Sequence, residues 1–190
     1  MVQTPTRYVT QEEFERLCRS HSDRIIERTA QGELVDVAPV GGEGSSQEAD
    51  LIGDLIIWNR QTKLGKVFSS QGAFKLPFGS TRAADVAWVQ LERWEALTSE
   101  QRIGFPPICP DFVIELRSQS ISNGTVKPQS LAELRAKMTE YLASGLRLGW
   151  LINHQGRQVE IYRAGQAVEM VSTPTVLFGE AVLPGFELHV

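Results

Sequence analysis

Apolar and polar positions alternate along Pro110–Ser118. Phe112, Ile114 and Leu116 fall on one side of an extended chain, and Asp111, Val113, Glu115 and Arg117 on the other. This predicts a strand with one flank in a core and an acid-bearing flank at a core edge or cleft. A second run of this kind, Arg82–Val89, carries Asp85 and extends to about Leu91. Helical spacing of apolar residues predicts helices over Gln11–Arg19, Gln47–Thr62, Glu92–Arg102 and Leu131–Ala143. The first starts at a capping box, Thr10 with Glu13, and the last has Ser130 as its N-cap and stops at Ser144-Gly145. The second carries a stripe of Leu51, Ile52, Leu55, Ile56 and Trp58. Further strands are predicted at Arg24–Arg28 and Glu33–Val37 about a Thr29–Gly32 turn, and at Lys66–Ser70 and Ala73–Leu76 as a hairpin through Gln71-Gly72. Leu148–Asn153 and Gln158–Arg163 flank the turn His154–Arg157, Val168–Val171 is another strand, and a last short one docks within 184–190. Pro39–Ser46 reads as a Gly/Ser loop. Residues 118–130, with Asn123-Gly124 and Lys127-Pro128 as turn signals, read as an irregular loop over the acid-bearing strands.

Composition narrows the classes. The 190 residues, 42% hydrophobic with four tryptophans, suit one domain with a sizeable core. No apolar stretch resembles a signal peptide or is long enough to span a bilayer, which implies a cytoplasmic protein with no membrane partner. Cys18 and Cys109 lack metal or redox spacing and read as reduced thiols. A net charge of −4 argues against non-specific coating of DNA, yet an acidic metal site carries negative charge of its own. His21, His154 and His189 lack zinc spacing, no G-x-S-x-G elbow is present, and Gly41-Gly42-Glu43-Gly44 lacks the lysine of a phosphate-binding loop. Trp88, Trp94 and Trp150 read as core residues.

The chemistry-bearing residues are then Asp85 on one strand, Glu115 on the next and Lys137 on the following helix. Two acids and a lysine converging on one site are the arrangement of a metal-dependent phosphodiesterase. Lys137 lies at the border of its helix's apolar face, beside Tyr141, and either snorkels outward or leans into a cleft. Glu48, one turn before the Leu51 stripe, is either a site acid or a first-turn glutamate favoured by the helix dipole. Strand rise puts Asp111 about 13 Å from Glu115, too far to share a cation, so Asp111 is read as a structural acid. Glu27 and Glu33 read as solvated charges. The plainer alternative is that Asp85 bonds loop amides and that Glu115 forms an ordinary ion pair with Arg117 or Lys137.

The Asp85 strand, Pro110-Asp111-Phe112-Val113-Ile114-Glu115, Leu134…Lys137…Tyr141…Gly145, Trp150-Leu151-Ile152 and Val159-Glu160-Ile161-Tyr162-Arg163 together resemble the Uma2 family of restriction-type endonucleases, within the PD-(D/E)XK superfamily. The cyanobacterial branch is the most similar, through Trp58, Leu76-Pro77, Leu91–Trp94 and Leu148–Ile152. The resemblance implies an α/β (α+β) fold: a restriction-endonuclease-like mixed sheet flanked by helices, with an N-terminal β-hairpin extension. It implies one domain over 1–190, in which a helix and hairpin in 1–40 pack on a nuclease core in 41–190. It also implies catalytic Asp85, Glu115 and Lys137, a Mg²⁺ (or Mn²⁺) held by Asp85 and Glu115 with Glu48 as a further ligand, and Arg117 as a phosphate contact. The partners implied are DNA and a second copy of the chain, as a homodimer. The literal E-x-K slot holds Arg117, and the resemblance moves the basic role to Lys137. Ala84 replaces a proline before Asp85, Ser118–Ser122 replaces a Ser-Pro-Ser-Asp loop, and Asn123–Gln129 is longer than usual. The alternative function is a catalytically silent nuclease fold that serves as a binding module.

Overall fold

The computed structural model describes residues 7–21, 25–122 and 125–190. Helix α1 (Gln11–Ser20) starts where predicted. The Glu13 amide donates to the Thr10 hydroxyl at 3.2 Å, and the Thr10 amide donates to the Glu13 carboxylate at 2.8 Å. Strands β1 (Ile26–Arg28) and β2 (Leu34–Asp36) form an antiparallel hairpin. Gly32 turns there at φ 95°, a conformation that side chains resist. The predicted start of the first strand at Arg24 lies outside the described residues.

Helix α2 (Gly42–Thr62) is longer than its pattern predicts. Gly42–Ser46 form its first turn rather than part of a loop, although Gly41 gives no side-chain cap. Glycine weakens a helix, but a long helix anchored by Leu51, Leu55 and Trp58 propagates through a weak turn. That turn also packs tightly, since a Cβ on Gly44 would lie 3.1 Å from the Ser118 Cβ.

Strands β3 (Gly65–Ser69), β4 (Ala73–Lys75), β5 (Thr81–Ala83) and β6 (Val86–Gln90) follow. The predicted hairpin of the first two is not formed. The turn closes, with the Gly72 amide on the Ser69 carbonyl at 2.9 Å, but β3 pairs with β6 and β4 pairs with β5. Phe68 instead meets Phe74 edge-on at 5.1 Å, so side-chain packing links strands that belong to different sheets. The predicted 92–102 helix is two short ones, α3 (Leu91–Glu95) and α4 (Ser99–Ile103). They part because Thr98 and Gln101 form a new capping box.

Strand β7 (Phe112–Leu116) is buried along its whole length. Residues after Ser118 are not irregular. They make the antiparallel pair β8 (Gln119–Ser122) and β9 (Thr125–Pro128), and the two residues between them lie outside the described set. Helix α5 (Leu131–Ala143) and strands β10 (Leu148–Asn153) and β11 (Gln158–Arg163) match their predicted bounds. Strands β12 (Glu169–Ser172), β13 (Val176–Phe178) and β14 (Glu187–His189) complete the fold.

Six strands form a mixed sheet in the order β12-β11-β10-β7-β6-β3. Among the described residues, β7 and β10 are its parallel neighbours, joined by the crossover that contains α5. A second sheet has the order β2-β1-β5-β4. One face of the large sheet packs Phe112, Ile114, Leu116 and Trp150 under α2 and β13–β14. The other packs Val113, Leu151 and Tyr162 under Leu134, Met138 and Tyr141 of α5. Gly149 lets α5 sit close, because a Cβ there would fall 2.5 Å from the Met138 Cε. No helix among the described residues is long and apolar enough to cross a membrane.

Candidate active site at the junction of the two sheets

Asp85 lies where the chain passes from one sheet to the other. Strand β5 ends at Ala83 in the four-stranded sheet, β6 begins at Val86 in the six-stranded one, and Asp85 occupies the bend. The predicted continuous strand over Arg82–Val89 is therefore broken beside its acid. The register of β6 on β7 pairs Val86 with Ile114 and Ala87 with Val113. Extended by one residue, it sets Asp85 opposite Glu115, where neighbouring side chains of an antiparallel pair meet. The ladder stops there, and the side chain substitutes for it: the Leu116 amide donates to the Asp85 Oδ2 at 2.6 Å.

Glu115 shares the α5-facing side of β7 with Val113 and is 2% exposed. Lys137 reaches it from α5, and Nζ stands 2.9 Å from the Glu115 Oε1. The same ammonium stands 2.9 Å from the Glu27 Oε1 and donates to the Ala83 carbonyl at 2.7 Å. An ammonium has three N–H donors and no acceptor. One goes to the Ala83 carbonyl, and the carboxylates of Glu27 and Glu115 stand at ion-pair distance, so the ammonium is held among three different strands. The border position of Lys137 is thus a lean into the interior, not a snorkel outward.

Glu27 corrects the reading of a solvated charge. It is 3% exposed. Its carboxylate also accepts from the Ala83 amide at 3.0 Å and from the Arg82 guanidinium at 2.9 Å. Arg82 in turn donates to the Glu140 Oε2 at 2.6 Å. A three-residue strand has too little length for alternation to reveal its buried side, which is why the sequence pattern does not expose Glu27 as a site residue. Its buried partners become visible only once β1 lies beside β5.

The electrostatics follow from burial. Four carboxylates (Asp85, Glu115, Glu27 and Glu140) share Lys137 and Arg82 as counter-charges. Burial pushes the Glu115 carboxyl up to about 8 against the pull of Lys137, with Asp85 and Glu27 adding repulsion. Burial likewise pushes Asp85 up to about 6, opposed by Lys137 and the Leu116 amide and reinforced by Glu48 and Glu27. Burial also pulls Glu27 upward, but Lys137 and Arg82 outweigh it and hold the carboxyl below its ordinary value. Burial pulls the Lys137 ammonium down, and Glu115, Glu27 and Asp85 more than reverse this, so it stays charged. The Glu115 Oε1, although beside the ammonium, accepts no well-aligned hydrogen bond.

The other predicted residues separate. Glu48 is half-buried and lies in the second turn of α2, since that helix starts at Gly42; the first-turn dipole reading does not hold. It acts electrostatically on Asp85. The Arg117 Nε donates to the Gln129 carbonyl at 3.2 Å, and among the described residues it makes no ion pair with Glu115. Asp111, fully buried, accepts the Gln90 amide at 2.9 Å and pairs with Arg93 at 2.7 Å, at the far end of β7 from Glu115. Among the described residues, no three His, Cys, Asp or Glu side chains come together as a set able to hold a metal ion, so Asp85, Glu115 and Glu48 do not form a three-carboxylate site.

A family profile described as Uma2, "Putative restriction endonuclease", matches residues 11–190. The fold is similar to the crystal structure of a putative nuclease belonging to DUF820 from Anabaena variabilis. The two share a TM-score of 0.74 at 19% identity, over 96% of this chain and 94% of that one. No curated protein matches the chain.

Proposed function

The chain belongs to the Uma2 family, and from that premise we propose that it is a divalent-cation-dependent endonuclease hydrolysing phosphodiester bonds in DNA. The observation that carries this reading is the approach of Asp85 and Glu115 across neighbouring strands, with the Lys137 ammonium against Glu115. Such a site has more carboxylates than counter-charges, and burial and mutual repulsion hold two of them above their ordinary range. A divalent cation relieves both conditions.

The donor set fits Mg²⁺ or Mn²⁺. Mg²⁺ takes hard oxygen ligands, commonly one or two carboxylates, and keeps several waters, so a closed protein cage is not required. Asp85 and Glu115 would hold the ion, and half-buried Glu48 would act on its outer side. A cation bound there supplies charge neutralisation at the scissile phosphate and a water activated for attack.

The chain's own residues do the rest. Asp85, tied to the Leu116 amide, presents its other oxygen from a fixed carboxylate. Lys137 acts as a hydrogen-bond donor and positive charge, orienting water or phosphate; a lysine held charged by its neighbours is not a proton acceptor. Arg117, anchored by the Gln129 carbonyl, is assigned to phosphate contact. Cutting both strands of a duplex takes two such sites, and we assign the second to another copy of this chain, acting in the cytoplasm.

Plasmid nicking with Mg²⁺ or Mn²⁺ tests the reading, with Glu115→Ala as the control. Nicking by the parent chain that the variant loses supports it. Equal nicking by the two proteins would sink it.

A further inference from the structure

Two carboxylates claim one ammonium in this site. Glu115 and Glu27 each stand 2.9 Å from Nζ of Lys137, and they belong to different sheets. Their surroundings differ. Besides Lys137, Glu27 has two further donors, the Arg82 guanidinium and the Ala83 amide. Glu115 has no well-aligned donor on its Oε1 and faces a second acid, Asp85. The Lys137 ammonium donates to the Ala83 carbonyl and is crowded by both carboxylates, so a water or a phosphate reaches it only when one of them moves aside.

We propose that Glu27 is a positioning residue: together with the Ala83 carbonyl it keeps the Lys137 ammonium in place when Glu115 turns to a cation. This rests on the reading of Asp85 and Glu115 as cation ligands. Glu115 is the acceptor that leaves, because it has the poorest hydrogen bonding and the most repulsion. Its departure would open the face of the Lys137 ammonium that Glu115 now covers, the face nearest the carboxylates that would hold a cation. The two remaining contacts, the ion pair with Glu27 and the hydrogen bond to the Ala83 carbonyl, hold the ammonium where it stands. Arg82, bonded to both Glu27 and Glu140, keeps Glu27 from following the ammonium. The free ion pair and the cation-bound site are then two settings of one hydrogen-bond set, and no side chain needs to be rebuilt between them.

The test begins without metal. In protein with ¹⁵N-labelled lysine, the ammonium resonance of Lys137, assigned by its absence in Lys137→Met, is expected to persist in Glu115→Gln and to vanish in Glu27→Gln. Its survival in Glu27→Gln, or its loss in Glu115→Gln, overturns the proposal. If Glu27→Gln does not fold, Glu27→Asp keeps the charge and withdraws the carboxylate by one methylene. It should shift or broaden the resonance, and an unchanged resonance is again contrary.

Titration calorimetry with Mn²⁺ gives the second readout. Glu27→Gln should weaken binding about tenfold, the scale on which residues behind metal ligands act. That loss should disappear in the Lys137→Met background, where there is no ammonium to hold. An equal loss in both backgrounds shows Glu27 acting as a bare charge and refutes the proposal. If the parent chain binds no Mn²⁺, it is the cation-ligand reading that fails, while the ammonium spectra still decide what Glu27 does.

Discussion

The Asp85 carboxylate closes onto the backbone of Leu116, whose amide meets its Oδ2 at 2.6 Å. The side chain therefore has two separable duties: an acceptor that ends the β6–β7 ladder, and a negative charge opposite Glu115. Asp85→Asn keeps the first and removes the second. Its thermal unfolding temperature is expected to match or exceed the parent's, because a repulsion is removed. Nicking with Mg²⁺ should fall at least about 100-fold, the scale of deleting an electrostatic group aimed at the reacting centre. A large drop in unfolding temperature would show that the charge itself holds the bend.

Stability should depend on pH in an unusual direction. In the folded protein the Asp85 carboxyl is raised to about 6 and that of Glu115 to about 8, so the native state binds these protons more tightly than the unfolded chain. Their contribution to stability is complete below about pH 4, and is lost as pH rises through 6 and then through 8. Metal-free protein should therefore melt progressively lower between about pH 4 and pH 8. Asp85→Asn should flatten the decline below about pH 6, Glu115→Gln should flatten it across the range up to about pH 8, and saturating Mn²⁺ should do both. Unfolding curves collected across this range, with and without the ion, check all three.

Arg117 and Lys137 compete for the basic role, and their partners rank them. Arg117 is bonded to a backbone carbonyl, whereas Lys137 joins Glu115 to Glu27. Lys137→Ala should cost about 100-fold or more in nicking rate, in the range of a positioned hydrogen-bond donor at the reacting centre. Arg117→Ala should cost about tenfold or less, chiefly as weaker binding of DNA, because one cation facing the phosphate backbone is removed. Rates measured at saturating and at low DNA separate the two effects. The reverse ranking would return the role to the literal E-x-K slot.

Gly149 links packing to the site. A methyl there would fall 2.5 Å from the Met138 Cε, 2.9 Å from the Leu146 Cδ2 and 3.3 Å from the Val113 Cγ2. Gly149→Ala should cost about 1–3 kcal/mol by overpacking, read from denaturant unfolding. Because Met138 follows Lys137 directly on α5, the same methyl should lift the ammonium from Glu115 and lower nicking even at temperatures where the variant is fully folded.

What can be read in the sequence depends on the length of the repeating pattern. Helix α5 and strands β10 and β11 match their expected bounds, and the strand carrying Glu115 is found within its expected run, although β7 is shorter, Phe112–Leu116, and is buried on both faces rather than one. The short strands β1, β4 and β5 have no period to show, so the second sheet stays hidden, and with it the buried side of Glu27. The break at Asp85 is invisible for a related reason: Arg82–Val89 contains no glycine or proline to mark a bend, although the chain changes sheets midway. Asn123-Gly124 signals a turn, but the polar residues around it lack the apolar alternation that marks a hairpin, so β8 and β9 do not show. The first turn of α2 is hidden because local glycine preference points away from a helix that distant packing enforces. Strand rise alone does separate Asp111 from the site, and its bonds to Arg93 and Gln90 agree.

The order in which the site's members occur along the chain has its own consequence. Glu27, Asp85 and Glu115 all precede Lys137. Synthesis delivers these three acids before the ammonium that lies between Glu27 and Glu115. A half-made copy holds carboxylates with strong reasons to stay apart, and a copy lacking the first hairpin holds an ammonium with one anchor missing. On the proposed reading, neither fragment can cut.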